Sequence, residues 1–307
     1  MFRTSNERRD SGRPRSAIHR HVDLDGVRVF YRESVPDRSD APVLLLLHGF
    51  PSASHQFRRL IDALGRHYRL IAPDYPGFGH TQAPDSFTYS FDNLADVAES
   101  FVDRLGLTKF VMYIFDFGAP VGLRLAERRP EWIAGLIIQN ANAYTEGLSA
   151  GARDFIALRP ENEGAEDTVR NLLTLPGTRG QYQSGTSKPE MIAPEGWTLD
   201  QHFPDQPGRK EAQVALAFDY HTNVARYPAW QTWLRQHTPP TIIIWGRNDP
   251  FFPEPGAHAY LHDLPDAELH LFDTGHFALE EHLPEIAPLI AAFLDRVWTP
   301  HASVSRA

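Results

Sequence analysis

From residue 22 onward the chain alternates short apolar runs with longer stretches of helical character. The runs at 27–32, 43–48, 69–73, 110–115, 135–139, 241–245 and 268–272 have strand length, and the inner ones are apolar at nearly every position. A strand with one wet face alternates polar and apolar residues; a strand covered on both faces does not. The pattern therefore predicts an α/β protein: a mostly parallel central sheet flanked by helices.

Between residues 143 and 237 that rhythm stops. Gly, Pro, Glu and Gln become frequent, with helical pieces such as 211–225. Strand and helix alternate again from Thr238. The predicted organisation is a flexible polar leader over 1–20, a discontinuous core domain over 21–142 and 238–307, and a mainly helical cap inserted over 143–237. A chain of 307 residues has room for one large domain with such an insertion.

Composition removes several function classes. The net charge is −9 and no long basic run follows the first twenty residues, which argues against a nucleic-acid or anionic-membrane partner. The absence of cysteine excludes disulfides, thiolate nucleophiles, thiolate zinc sites and Cys-ligated iron–sulfur clusters. No apolar stretch follows the charged N-terminus as it would in a secretory signal, and no run approaches the roughly 20 residues of a membrane-spanning helix. A cytoplasmic protein is the expectation.

The chemistry concentrates at strand ends. In KFVMYIFDFGAPVGLRLAERRP an apolar strand runs directly into Asp116, followed by Phe117, Gly118 and Ala119 and then a helix. Pro120 suits a first helical turn, and Pro130 should stop the helix. The partial positive charge at that helix start favours an anion. This is the layout of a nucleophile elbow, G-x-S-x-G, with Asp in the place of Ser. Asp116 as a plain helix cap is the alternative, and the other segments decide between them.

In LLLLHGFPSAS a strand ends at His48, Gly49, Phe50 and Pro51, and Gly49 permits a tight path that turns the Phe50 N–H inward. With the Phe117 N–H it would make an oxyanion hole of two backbone donors. APDYPGFGHT follows the run at 69–73, IIIWGRNDPFF puts Asp249 after an apolar strand, and HLFDTGHFALEEH puts His276 past the last one. Carboxylate, acid and histidine thus follow in order, each at the C-terminal end of a predicted parallel strand, where α/β sheets bind ligands.

These five motifs, in this order and spacing over residues 22–298, resemble the α/β-hydrolase superfamily. Within it they are similar to the aspartate-nucleophile branch of epoxide hydrolases and haloalkane or haloacetate dehalogenases. The resemblance implies Asp116 as nucleophile, Asp249 as orienting acid, His276 as base, and the backbone of Phe50 and Phe117 as oxyanion donors. The carboxylate would form an alkyl ester, and His276 would activate the water that hydrolyses it. One departure is Ile114, where many members carry Gly or another small residue.

The resemblance also implies a small-molecule substrate, an apolar epoxide, with no cofactor and no metal; a homodimer is left open. Haloalkane dehalogenases usually place Trp after the nucleophile and fluoroacetate dehalogenases Arg, but this chain has Phe117 there and Phe50 at the other donor position. Epoxide hydrolases hold the ring oxygen with cap tyrosines. Tyr220, on a predicted cap helix about thirty residues before Asp249, resembles one of them; Tyr182 is the choice for its partner, ahead of Tyr144.

Rival motifs lack context. Gly147-Leu148-Ser149-Ala150-Gly151 matches G-x-S-x-G literally, but no apolar strand precedes it, so a serine esterase is disfavoured. His258 and His262 share a helical face without a third ligand for zinc. Trp197, Trp230 and Trp233 read as packing under a lid before they read as pocket lining. A silent binding protein on this fold would not need the Asp, acid and His set.

Overall fold

A computed structural model describes residues 17–298. Eight strands form one sheet: β1 (Ile18–Leu24), β2 (Val27–Glu33), β3 (Val43–Leu47), β4 (Arg69–Pro73), β5 (Phe110–Phe115), β6 (Ile133–Gln139), β7 (Thr241–Gly246) and β8 (Glu268–Phe272). Their spatial order is β1-β2-β4-β3-β5-β6-β7-β8, antiparallel at β1·β2 and β2·β4 and parallel from β4 onward. β5 lies in the middle and is buried at every position. That explains its unbroken apolar sequence.

Of the predicted leader, residues 1–16 lie outside the described residues, and 18–20 are not leader but the start of β1. β1 escaped the sequence reading because its residues, IHRHVDL, are largely exposed at the sheet edge. A hairpin signal was present nonetheless. Asp25 and Gly26 both adopt positive φ, the requirement of a tight two-residue turn between strands.

Flanking the sheet are α1 (Arg58–Leu64), α2 (Phe91–Arg104) and α3 (Gly118–Arg128). Between β6 and β7 the chain inserts α4 (Ala150–Ala157), α5 (Ala165–Leu172), α6 (Leu175–Gln183), α7 (Pro194–His202), α8 (Arg209–Asp219) and α9 (His221–His237). After β7 come α10 (Pro255–Ala259) and α11 (Ala278–Trp298), the latter kinked at His282. The single helix expected over 211–225 is instead two, α8 and α9, which meet at Tyr220. Among the described residues no helix is long and apolar enough to cross a membrane.

Ile114, the departure from small residues at the elbow, is accommodated by α3. Gly122 faces it, and a Cβ there would come within 2.7 Å of the Ile114 side chain. The missing side chain on the helix makes room for the extra one on the strand, and α3 still packs on β5.

Candidate active site

The turn from β5 into α3 holds Asp116 at φ 48°, a left-handed conformation that few non-glycine residues adopt and that turns its side chain out of the strand line. Gly49 is required opposite it: a Cβ at that position would run into the Asp116 side chain. With that space free, the Phe50 N–H donates to Asp116 Oδ1 at 2.5 Å, and the Phe117 N–H bonds the same carboxylate. The two donors expected from sequence converge on one group.

The loop carrying Phe50 is fixed from behind by His48. The Tyr75 N–H donates to His48 Nε2 (3.2 Å), which leaves the proton on Nδ1, 3.0 Å from the Gly49 carbonyl. Full burial pushes the His48 imidazole down to about 4, despite the opposing charge of Asp74. His48 is therefore a neutral brace.

His276 lies past β8 with Nδ1 2.6 Å from Asp249 Oδ2 and Nε2 3.9 Å from Asp116 Oδ2. The second distance is too long for a hydrogen bond, so Nε2 is not occupied by the carboxylate. Asp249 itself is held in place: Oδ1 accepts from the Phe251 N–H (2.8 Å), and Oδ2 also accepts from Asn140 Nδ2 (2.8 Å). Gln139 Nε2 donates to the His276 carbonyl at 3.2 Å. The rings of Phe115 and Phe252 enclose the imidazole at 4.5 and 5.2 Å.

Asn140 was missed by the sequence reading. Its side chain bonds Asp249 Oδ2, the Gly246 carbonyl (3.1 Å) and the Gly246 N–H (2.9 Å), tying the end of β6 to the acid-bearing loop. The available signal was its position, the first polar residue after a strand at the same sheet end as Asp116.

Burial dominates the electrostatics. It pushes the Asp116 carboxyl up to about 6, against the pull of His276 and the two N–H groups. For His276 burial disfavours the cation, but the Asp249 carboxylate outweighs it, with help from Asp116, and the net shift is upward. Because the folded Asp116 holds its proton more tightly than an unfolded one, ionising it costs the folded state stability. That cost is absent below about pH 4, grows as pH rises toward 6 and is fully present above, at about 2–3 kcal/mol. Asp116→Asn is expected to raise the melting temperature at pH 8 and to lose most of that gain by pH 4.5. Thermal melts across that range check it; a pH-independent gain would contradict it.

A cavity of about 650 Å³ opens onto Asp116, His276, Phe50 and Phe117. Tyr220 lines it from the insertion, its ring 5.6 Å from Phe117 and 5.7 Å from Phe91. The residues around Tyr220 are pinned to the core. Asp219 Oδ2 accepts the Phe91 N–H at the start of α2 (2.7 Å), and Asn223 accepts from the buried Arg124 of α3 (2.7 Å). Burial raises the Tyr220 phenol well above its ordinary value, reinforced by Tyr227 and Asp116. It is a neutral donor at any working pH.

Tyr182 is not brought to this wall. Its hydroxyl donates to Asp200 (2.5 Å), its ring stacks on Phe277 at 3.9 Å, and it is fully buried, so it cannot partner Tyr220 as expected. Tyr144 is also committed, donating to Asp263 at 2.6 Å. Ser149 lines the cavity, but its hydroxyl caps α4 by accepting from the Ala152 N–H. Trp197, Trp230 and Trp233 lie outside the lining: Trp197 packs near Tyr182, Trp230 donates to Glu127 and Trp233 stacks on His237. His258 faces Glu254 at 3.2 Å, and among the described residues no cluster is placed to hold a metal ion.

The chain is 40% identical over 282 residues to the uncharacterized hydrolase YNR064C of Saccharomyces cerevisiae, covering 88% of this chain and 94% of that protein. Among solved structures it is similar to the epoxide hydrolase CorEH (TM-score 0.75, 19% identity, 92% of this chain and 99% of that one). It is similar also to the haloalkane dehalogenase DatA from Agrobacterium tumefaciens C58 (TM-score 0.75, 24% identity, 92% and 97%). The family model for the alpha/beta hydrolase fold matches residues 42–283, which span β3 to the start of α11 and contain Asp116, Asp249 and His276. With this sheet order, this elbow and that match, the chain is a hydrolase of the alpha/beta hydrolase fold family.

Proposed function

We propose that the chain hydrolyses epoxides to vicinal diols through a covalent ester on Asp116, with the insertion acting as the cap that supplies the acid. The observation that carries this reading is the pairing of a carboxylate at the elbow with Tyr220, which among the described residues is the single lining phenol of a cavity wall without a Trp, Arg or Lys side chain. A ring oxygen needs a neutral acid as its C–O bond breaks, and a buried phenol meets that need.

In the first step an Asp116 oxygen attacks a ring carbon, the C–O bond opens, and the oxygen takes the Tyr220 proton. In the second, water adds to the ester carbonyl and gives its proton to His276. The oxyanion lies where the Phe50 and Phe117 N–H groups already point; collapse, with the remaining water proton passing to the departing oxygen, releases the diol and the Asp116 carboxylate, and the proton held by His276 returns through solvent to the Tyr220 phenolate. The charges favour this order. Esterification removes the Asp116 charge, one of the influences holding His276 protonated, so a larger share of the imidazole is neutral and able to take a proton once the ester exists.

A dehalogenase with the same nucleophile is the second reading, favoured by the Asn142 and Gln181 amides in the wall. Each already donates an N–H, to the Gly147 and Leu172 carbonyls, which weakens them as halide ligands. The test is a single turnover of styrene oxide in oxygen-18 water. Label is expected in the Asp116 carboxylate and not in the first diol released. Label appearing directly in that diol would overturn the covalent route, and halide release from chloroalkanes without epoxide turnover would favour the second reading.

A further inference from the structure

The insertion's share of the cavity wall comes largely from one stretch: between Leu148 and Leu158 every residue except Arg153 and Ala157 lines the cavity. α4 forms the middle of that stretch, and none of its side chains is fully buried: Ala152, Phe155 and Ile156 rest only part of their surface on the core. Phe155, Ile156 and Ala152 are half-exposed, with the cavity in front of them. Among the described residues most other large apolar side chains are buried, Leu175 and Met191 excepted, so the part of this apolar face left uncovered by protein has the cavity as its neighbour.

Charge and volume define the occupant. Among the described residues the lining carboxylates are Asp116 and Asp154, the imidazole of His276 is already paired with Asp249, and a carboxylate or phosphate finds no Lys or Arg. Gly151 and Asp154 are exposed as well as lining, which puts an opening to solvent beside α4. A volume of about 650 Å³ falls in the range of roughly 300–1,000 Å³ that encloses drug-sized ligands. A small epoxide would leave most of it to water against Phe and Leu side chains.

We infer that the α4 wall is the binding subsite for the apolar body of the substrate, and that the preferred substrates are uncharged epoxides bearing a long apolar substituent. This inference rests on the epoxide reading for the reaction but not for the binding. Each methylene taken from water into such a wall strengthens binding about threefold to fourfold, and the gain ends when the cavity is full.

The experiment is a homologous series. For terminal epoxides from epoxybutane to epoxydecane, kcat/KM is expected to climb about threefold to fourfold per methylene before levelling; a flat or falling series overturns the subsite. Phe155→Ala and Ile156→Asp should flatten the climb, and Ile156→Trp, which adds volume to the wall, should move the plateau to shorter chains; circular dichroism confirms that each is folded. Binding of butanol through decanol, read by calorimetry, removes the chemistry. Affinity should rise with length, and decanoate should bind at least about tenfold more weakly than decanol, because it meets the Asp116 and Asp154 carboxylates and no Lys or Arg. If alcohols show this dependence and no epoxide turns over, the subsite stands and the reaction reading fails. If epoxides turn over without it, or decanoate binds as well as decanol, the subsite fails.

Discussion

His276→Gln is expected to stop the enzyme with substrate attached. Asp116 needs no base to attack, because a carboxyl with a pKa of about 6 is mostly ionised at pH 8. Ester hydrolysis does need one, and His276 Nε2, free of hydrogen bonds to the carboxylate and 3.9 Å away, is placed to take a proton from water there. Loss of a general base costs about 10²–10⁴-fold, and here the whole loss falls on the second step. Steady-state turnover should fall by that factor while the first equivalent of epoxide is consumed at close to the parent rate. Intact-mass measurement should show the protein heavier by one substrate, with the mass on the peptide containing Asp116. An unmodified protein after demonstrated substrate binding would mean that His276 serves the attack, as it would beside a serine.

Much of this site was legible because strand ends announce themselves. Asp116 and Asp249 each follow an apolar run and His276 follows the last strand, and a parallel sheet brings the C-terminal ends of its strands to one edge whatever their separation in sequence. Phe50 and Phe117 followed from the same logic, since their contribution is a backbone N–H that any residue type could supply. β1 was missed for the converse reason: at a sheet edge, half wet, it has no buried face to impose a pattern.

The insertion was far less legible. Its helices pack by side-chain contacts that no strand register dictates, so neither the break at Tyr220 nor the fate of Tyr182 could be read from spacing. Tyr182 and Tyr220 are equivalent in composition and both lie in the insertion. What separates them is tertiary: Asp200 captures one hydroxyl and Phe277 stacks on its ring, whereas Asp219 and Asn223 pin the residues around the other to α2 and α3 so that it faces the cavity. Asn140 belongs to the same class, a residue whose role exists only once β6 and β7 are neighbours.

The displacement of Tyr182 sharpens the last expectation. Two tyrosines sharing the ring oxygen would make either single substitution mild, whereas one alone makes its loss severe. Tyr220→Phe removes one hydroxyl and keeps the ring packed against Phe117 and Phe91, so the fold and the Asp116 elbow are preserved. Withdrawing a hydrogen bond from charge that develops in the transition state costs about 10²–10³-fold. Single-turnover alkylation by styrene oxide should slow by that factor. Hydrolysis of the ester, once formed, should keep its rate, because the ring oxygen is by then an alcohol that needs no acid. Tyr182→Phe should leave alkylation within about twofold of the parent and act on stability instead. It strips a buried carboxylate, Asp200, of one donor, a loss of about 1–3 kcal/mol. Stopped-flow alkylation rates beside thermal melts separate the two variants. A mild Tyr220→Phe would mean that another wall group, Gln181 or Asn142, hydrogen-bonds the ring oxygen while water protonates it, and slowed alkylation in a fully stable Tyr182→Phe would restore the two-tyrosine arrangement that these contacts argue against.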